Sequence, residues 1–151
     1  MPDLLVPLYS LAPPPAAPAG IRIRPVRPYE GHVLRDFVQA HFFDKWVSEV
    51  MVALAAQPAK VLIAEEAGRC LGFACFDVTA RGFFGPTGVD PAARGRGLGK
   101  LLLLHSLDQL RQSGFAYAVV GQAGPVAFYQ ATCGAIEIPG SDPGYFDQSI
   151  A

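Results

Sequence analysis

Val89-Asp90-Pro91-Ala92-Ala93-Arg94-Gly95-Arg96-Gly97-Leu98-Gly99-Lys100 is the stretch from which the rest of the chain can be read. It lies between an apolar run, Gly82 to Val89, and a periodic run that contains four consecutive leucines at 101–104. It therefore reads as a loop joining a strand end to a helix that starts at Leu98 and runs to about Gln112, with Gly114 as its cap. Glycines at 95, 97 and 99 let the backbone approach a ligand closely and turn several N–H groups into one space. The helix start adds about half a positive charge. The combination predicts a cradle for a pyrophosphate, with Arg94, Arg96 and Lys100 supplying cationic side chains around it.

Two familiar phosphate loops do not fit. A Walker loop ending at Gly99-Lys100 would have Arg94 in place of its first glycine and Leu101 in place of the metal-binding hydroxyl. A dinucleotide fingerprint starting at Gly95 would have Lys100 in place of its third glycine, and no acidic residue follows at the required distance.

Upstream of the loop the pattern is antiparallel. Lys60–Glu65, Leu71–Thr79 and Gly82–Val89 read as three strands joined by short turns, a meander. The second is apolar on both faces until Asp77, as a central strand is. Gly85-Pro86 inside the third predicts a bulge. Earlier still, residues 29–56 read as two helices parted near His41-Phe42-Phe43-Asp44, and Ile21–Arg27 alternates apolar and basic residues like an edge strand. Downstream the reading is a strand over Phe115–Val120 parallel to the third meander strand, a helix opened by Gly124-Pro125 and ended by Gly134, and a short strand over Ala135–Ile138. Residues 1–20 carry six of the 14 prolines. They read as an extended or disordered arm, residues 21–151 as a single domain.

Composition excludes several classes of function. Of 151 residues, 51% are hydrophobic and 17% charged, a globular balance. Lys+Arg is 12 against Asp+Glu 13, a formal net charge of −1, so the basic excess of a nucleic-acid binder is missing. No apolar run is long enough to span a bilayer. Met1-Pro-Asp-Leu-Leu-Val6 has no basic flank of a secretory signal. Cys70, Cys75 and Cys133 match no zinc spacing, so no metal is expected, and reduced thiols in the cytoplasm are the simplest expectation.

Arg94-Gly-Arg-Gly97-Leu-Gly99 resembles the [Gln/Arg]-x-x-Gly-x-[Gly/Ala] loop of the GNAT superfamily, the acyl-CoA-dependent N-acetyltransferases. Val89-Asp-Pro91 is similar to that family's strand exit, and Phe128-Tyr129-Gln-Ala-Thr-Cys-Gly134 to its Phe-Tyr-x-x-x-Gly helix. The order of elements over residues 21–138 is also the family's. The resemblance implies an α/β fold: a mixed sheet with an antiparallel meander followed by a splayed parallel strand pair, and helices on both faces. It implies acetyl-CoA as cosubstrate and transfer of its acetyl group to a primary amine of a small molecule by direct attack in a ternary complex. A non-catalytic acyl-CoA-binding module, or an acetyltransferase acting on a protein N-terminus or lysine, are the alternatives. Val89, Arg94, Gly95, Arg96, Gly97, Leu98, Gly99, Lys100, Gln122 and Phe128 would bind the cofactor, Val89 through its backbone N–H. Gln122 stands where many members have Asn. Tyr129 would protonate the departing thiolate.

The base is less obvious. Residues 82–89, where family members often hold a glutamate, contain no carboxylate. Asp77 on the neighbouring strand is the best local candidate for the base, since a carboxylate in an apolar strand has a raised pKa; the alternative is a strand-end partner for Arg81. His41 lies on the connection that lines the acceptor side in the family, and Asp44 and Glu49 are candidates to recognise a cationic amine. Phe42, Phe43, Phe83 and Phe84 are candidates for an apolar acceptor wall. Only 17 residues follow Gly134, short for the family's usual final strands. An open sheet edge would follow, and with it the expectation of a homodimer in which arm or tail covers that edge.

Overall fold

The computed structural model describes residues 1–150. Strands β1 (Leu4–Pro7), β2 (Ile21–Pro25), β3 (Val61–Glu66), β4 (Arg69–Phe76), β5 (Phe83–Val89), β6 (Tyr117–Val120) and β7 (Ile136–Glu137) form one sheet in the order β2-β3-β4-β5-β6-β1-β7. The helices are α1 (Gly31–His41), α2 (Asp44–Ala55), α3 (Leu98–Gln112) and α4 (Val126–Cys133). From β2 to β5 the pairing is antiparallel, and β5 pairs with β6 in parallel.

Period-2 alternation in β3 and β4 explains the two layers of helix. Val61, Ile63, Phe73 and Cys75 point to one face and pack with Leu34 and Val38 of α1 and Val50 and Ala53 of α2. Leu62, Ala64, Ala74 and Phe76 point to the other and pack with Leu102, Leu103, Leu107 and Leu110 of α3. Both faces are covered, so both must be apolar. Gly72 lets α3 lie close to the sheet: a Cβ there would meet Gly88 O at 2.9 Å and Leu102 Cδ1 at 3.1 Å.

The register shifts between Ala74 and Phe76 where β4 faces β5, the irregularity expected opposite Gly85-Pro86. More consequential for the site is how briefly β5 and β6 pair. Only Phe83 with Val119 and Phe84 with Val120 are partnered, after which β5 runs on to Val89 and the two strands diverge. This is the splayed parallel pair.

The first twenty residues correct the sequence reading. Leu4–Pro7 is not an arm but a strand inside the sheet, antiparallel to β6 on one side and to β7 on the other. Leu4, Val6 and Leu8 are fully buried. From Leu8 the chain crosses the face of α3, with Leu11 and Ala17 packed on the core and Pro15 O 2.8 Å from His105 Nε2, before entering β2 at the far edge. The slot beside β6 is thus filled within the chain, and the two-residue β7 becomes the sheet's edge. Leu4→Ala is expected to cost about 2–5 kcal/mol. A chain beginning at Gly20 should lose cooperative thermal unfolding. Wild-type melting of that shortened chain would show β1 to be dispensable.

Candidate active site

The divergence of β5 and β6 exposes backbone. Asp90 N–H donates to Leu71 O at 2.8 Å. Bonded and non-bonded pairs alternate along an antiparallel ladder, so the next pair, Gly72 with Val89, is non-bonded. The Val89 N–H therefore faces away from β4, into the gap that β6 has left. Two cavities lie along this gap, and neighbouring residues divide between them. Val89 and Phe128 line one; Thr87 and Tyr129 line the other.

The first cavity, about 370 Å³, is built by the glycine loop: Ala93, Arg94, Gly95, Gly97, Leu98, Gly99 and Lys100, with Phe128 across it. Asp90 accepts from Ala92 N at 2.9 Å and fixes the loop's first turn. Gly97, the N-cap of α3, has φ 77°, a left-handed conformation that favours glycine. A Cβ added at Gly95 or Gly97 would meet nothing within 4 Å, so the glycines hold open space in front of a helix N-terminus. A diphosphate fits such a cradle. Of the cationic residues expected here, Arg94 and Lys100 line the cavity. Arg96 does not: its guanidinium binds Glu66 at 2.6 Å and 3.2 Å, and that bidentate pair turns it away.

Gly99 offers a clean test of the cradle. Its φ is ordinary for a helix, and its Cβ would meet only Val89 Cγ2 at 3.9 Å. Gly99→Val should leave melting unchanged yet weaken acetyl-CoA binding by about tenfold or more, a loss of at least ~1.4 kcal/mol. Calorimetry reads this directly, and undiminished affinity would remove the loop from the site. Gly97→Val also disturbs binding but strains a left-handed residue as well.

The second cavity, about 480 Å³, is lined by Trp46, Phe83, Phe84, Pro86 and Phe146 together with Lys45, Glu49, Thr79 and Tyr129. Tyr129 is 7% exposed, and burial pushes its phenol up to about 12. Glu49 projects from α2, where burial raises its carboxyl above the usual range against the counter-effect of a hydrogen bond donated by the Thr79 hydroxyl. The tail lines this end. Gln122 Nε2 donates to Pro143 O at 3.0 Å, and Asp3 Oδ1 accepts from Gln122 N at 2.8 Å and Tyr145 N at 3.0 Å. Phe146 is thereby held in the wall and Tyr145 against Phe83, ring centroids 4.8 Å apart.

Several expectations change here. Asp77 lies outside both cavities and bonds Lys60 Nζ at 2.8 Å, Gly82 N at 2.8 Å and Arg81 Nε at 3.2 Å. Burial pushes its carboxyl up, but the Lys60 ammonium, the Gly82 N–H and Arg81 outweigh it and hold it below the ordinary value. That is opposite to what a base needs, and the pairing with Arg81 is the alternative the sequence allowed. Gln122 lines the acceptor cavity but spends its amide on the tail. His41 stands 3.9 Å from Asp90 Oδ2, outside both cavities. Phe42 packs on Phe73 and Trp46, and Phe43 is exposed, whereas Phe83 and Phe84 do form a wall. Cys75 is buried, which raises its thiol, and Cys70 and Cys133 are pushed up to about 11 by burial, so none is a ready thiolate. Among the described residues no cluster of metal-ligating side chains exists, and no helix is long and apolar enough to cross a membrane. Sequence reasoning missed Lys45, Trp46, Thr79 and Phe146. The one available signal was the (i, i+4) spacing of Lys45 and Glu49, which puts both on one helix face.

Comparison with known proteins agrees with this architecture. No curated protein matches the sequence. A GCN5-related N-acetyltransferase from Sphaerobacter thermophilus is 23% identical with a TM-score of 0.72, over 91% of this chain and 48% of that one. The glucosamine N-acetyltransferase region of a fungal multi-domain GH3 β-N-acetylglucosaminidase is 18% identical with a TM-score of 0.73, over 91% of this chain and 19% of that one. This chain thus spans less than half the length of either. A GNAT family acetyltransferase from Brucella melitensis, solved in complex with acetyl-CoA, is 28% identical with a TM-score of 0.54, over 74% of this chain and 80% of that one. A sequence profile described as the acetyltransferase (GNAT) family matches residues 25–135. With well over half of its sequence matched and the splayed sheet in place, the chain belongs to the GNAT acetyltransferase family.

Proposed function

We propose that the protein is an N-acetyltransferase that moves the acetyl group of acetyl-CoA to a primary amine of a small molecule by direct attack in a ternary complex. The observation that carries this reading is the Val89 N–H, left free in the gap between β5 and β6. A phosphate cradle lies at one end of the gap and a cavity with a carboxylate at the other. The Brucella melitensis relative bound to acetyl-CoA supports the choice of acyl donor. Acetyl-CoA would supply the acetyl group as an activated thioester.

The chain's own groups divide the remaining work. Arg94, Lys100 and the N–H groups of Gly95 to Gly99 bind the diphosphate, with Leu98 and Phe128 as apolar walls. Val89 N–H donates to the carbonyl oxygen as negative charge develops there. Glu49, in place of Asp77, takes a proton from the acceptor ammonium, which is mostly charged at neutral pH. Tyr129 gives a proton to the departing thiolate. The C–S bond breaks, the N–C bond forms, the amine's second proton restores the Tyr129 phenol, and Glu49 releases its proton to solvent. Holding both substrates along one gap supplies much of the rate by positioning.

The cavity of about 480 Å³, walled in part by Phe83, Phe84 and Phe146, supports a small molecule as acceptor. The test is a thioester-consumption screen with acetyl-CoA against a broad amine library, with products identified by mass spectrometry. Amine-dependent CoA release with an N-acetyl product is expected. Tight acetyl-CoA binding without release in the presence of any amine would instead identify a binding module.

A further inference from the structure

The acceptor cavity carries one cationic and one anionic side chain. Lys45 and Glu49 line it one helical turn apart on α2, and no other lining residue bears a formal charge at neutral pH. Residues at this spacing have Cβ atoms about 5–6 Å apart, close enough to bracket a small molecule. The two side chains do not form an ion pair: the hydrogen-bond partner of Glu49 is the Thr79 hydroxyl. The rest of the wall is largely apolar and aromatic, with Trp46, Phe83, Pro86 and Phe146.

A simple cationic amine fits this arrangement poorly. It would gain Glu49 but bring its charge close to Lys45, which lines the same cavity. A molecule with an ammonium and a carboxylate on the same carbon answers both charges, and its side chain would lie on the aromatic wall. We propose, resting on the acetyltransferase reading above, that the acceptor is a zwitterionic amino acid with an apolar side chain, its amine at Glu49 and its carboxylate at Lys45. The reaction balances as amino acid zwitterion plus acetyl thioester giving N-acetyl amino acid carboxylate, free CoA thiol and one proton to solvent. Lys45 is a specificity residue here: its flexible stem lets the ammonium reach and donate to the carboxylate.

The test uses matched pairs that differ only by the carboxylate: phenylalanine and phenethylamine, leucine and isoamylamine, methionine and 3-(methylthio)propylamine, tryptophan and tryptamine. With the full chain, kcat/KM should favour the amino acid of at least one pair by about 10–100-fold, the worth of a charge-assisted hydrogen bond. Lys45→Met should bring that ratio toward unity, Lys45→Arg should keep it, and Lys45→Glu should reverse it. Lys45 is exposed on a helix, so these variants should fold; melting curves check this. Amines acetylated as well as their amino acids, or a ratio that Lys45→Met leaves unchanged, would overturn the amino-acid assignment while leaving acetyl transfer intact. No acetyl transfer to any member of the panel or of the broader amine library would overturn the acetyltransferase reading itself, and this assignment with it.

Discussion

Glu49→Gln is expected to lower kcat/KM for the acceptor by about 10²–10⁴-fold, the usual contribution of a positioned general base. Glutamine keeps the shape of the side chain and can still accept the hydrogen bond from Thr79, but it cannot take a proton. Glu49 lies in the acceptor cavity and not in the glycine loop, so the affinity for acetyl-CoA should stay at its wild-type value. The pH profile distinguishes a base from a structural residue. A base must be ionised, and burial raises this carboxyl. Wild-type activity should therefore fall, as pH drops, at a higher pH than an ordinary glutamate near about 4.3 would set. In Glu49→Gln that limb should be absent. The stability sign is opposite to that of most carboxylates. With the folded-state pKa above the unfolded one, protonated Glu49 favours the fold, and this contribution is lost as pH rises through the folded-state value. Loss of its charge should therefore not lower melting at neutral pH. Unchanged kcat/KM in Glu49→Gln, in an assay limited by chemistry, would exclude it as the base.

Tyr129→Phe should lower kcat by about 10²-fold, the lower end for general acid catalysis. A thiol of pKa near about 8.5, by analogy with cysteine, leaves tolerably without help. Phenylalanine keeps the ring that packs on Phe84 and Phe128, so folding should change little. KM for acetyl-CoA should also stay near its starting value, the pattern of an interaction made mainly in the transition state. The acid form is the active form, and burial holds this phenol at about 12. No descending limb due to Tyr129 should appear between pH 6 and pH 10, and variant and wild type should run parallel across that range. Equal kcat values, with transfer shown to be rate-limiting, would make Tyr129 a core residue and water the proton donor.

The proposed change of base from Asp77 to Glu49 shows where reading a sequence stops. Both are single carboxylates near apolar residues. Asp77 is neutralised by Lys60, which precedes it by 17 positions and reaches it only because β3 and β4 pair. Glu49 is raised because α2 lays it against the cavity wall beside Thr79, 30 positions away. Arg96 follows the same rule: it belongs to the cradle by spacing but to Glu66 by contact. A side chain's charge state and direction depend on neighbours that the sequence does not place beside it.

What the sequence determined by itself is local. The glycine loop and the start of α3 depend on residues 89–100, because φ freedom and helix termini are properties of a few consecutive residues. The same holds for the meander, whose two-faced strands show in their alternation, and for the Phe128-Tyr129 helix with Gly134 at φ 66° as its cap. Tertiary structure alone decided the sheet's last positions. Leu4–Pro7 fills the slot between β6 and β7 although its partner Val120 lies 116 residues away from Leu4. Four residues ending in a proline carry too little periodicity to announce a strand. What makes them one is the row of unpaired backbone groups and the apolar slot that the rest of the sheet offers them.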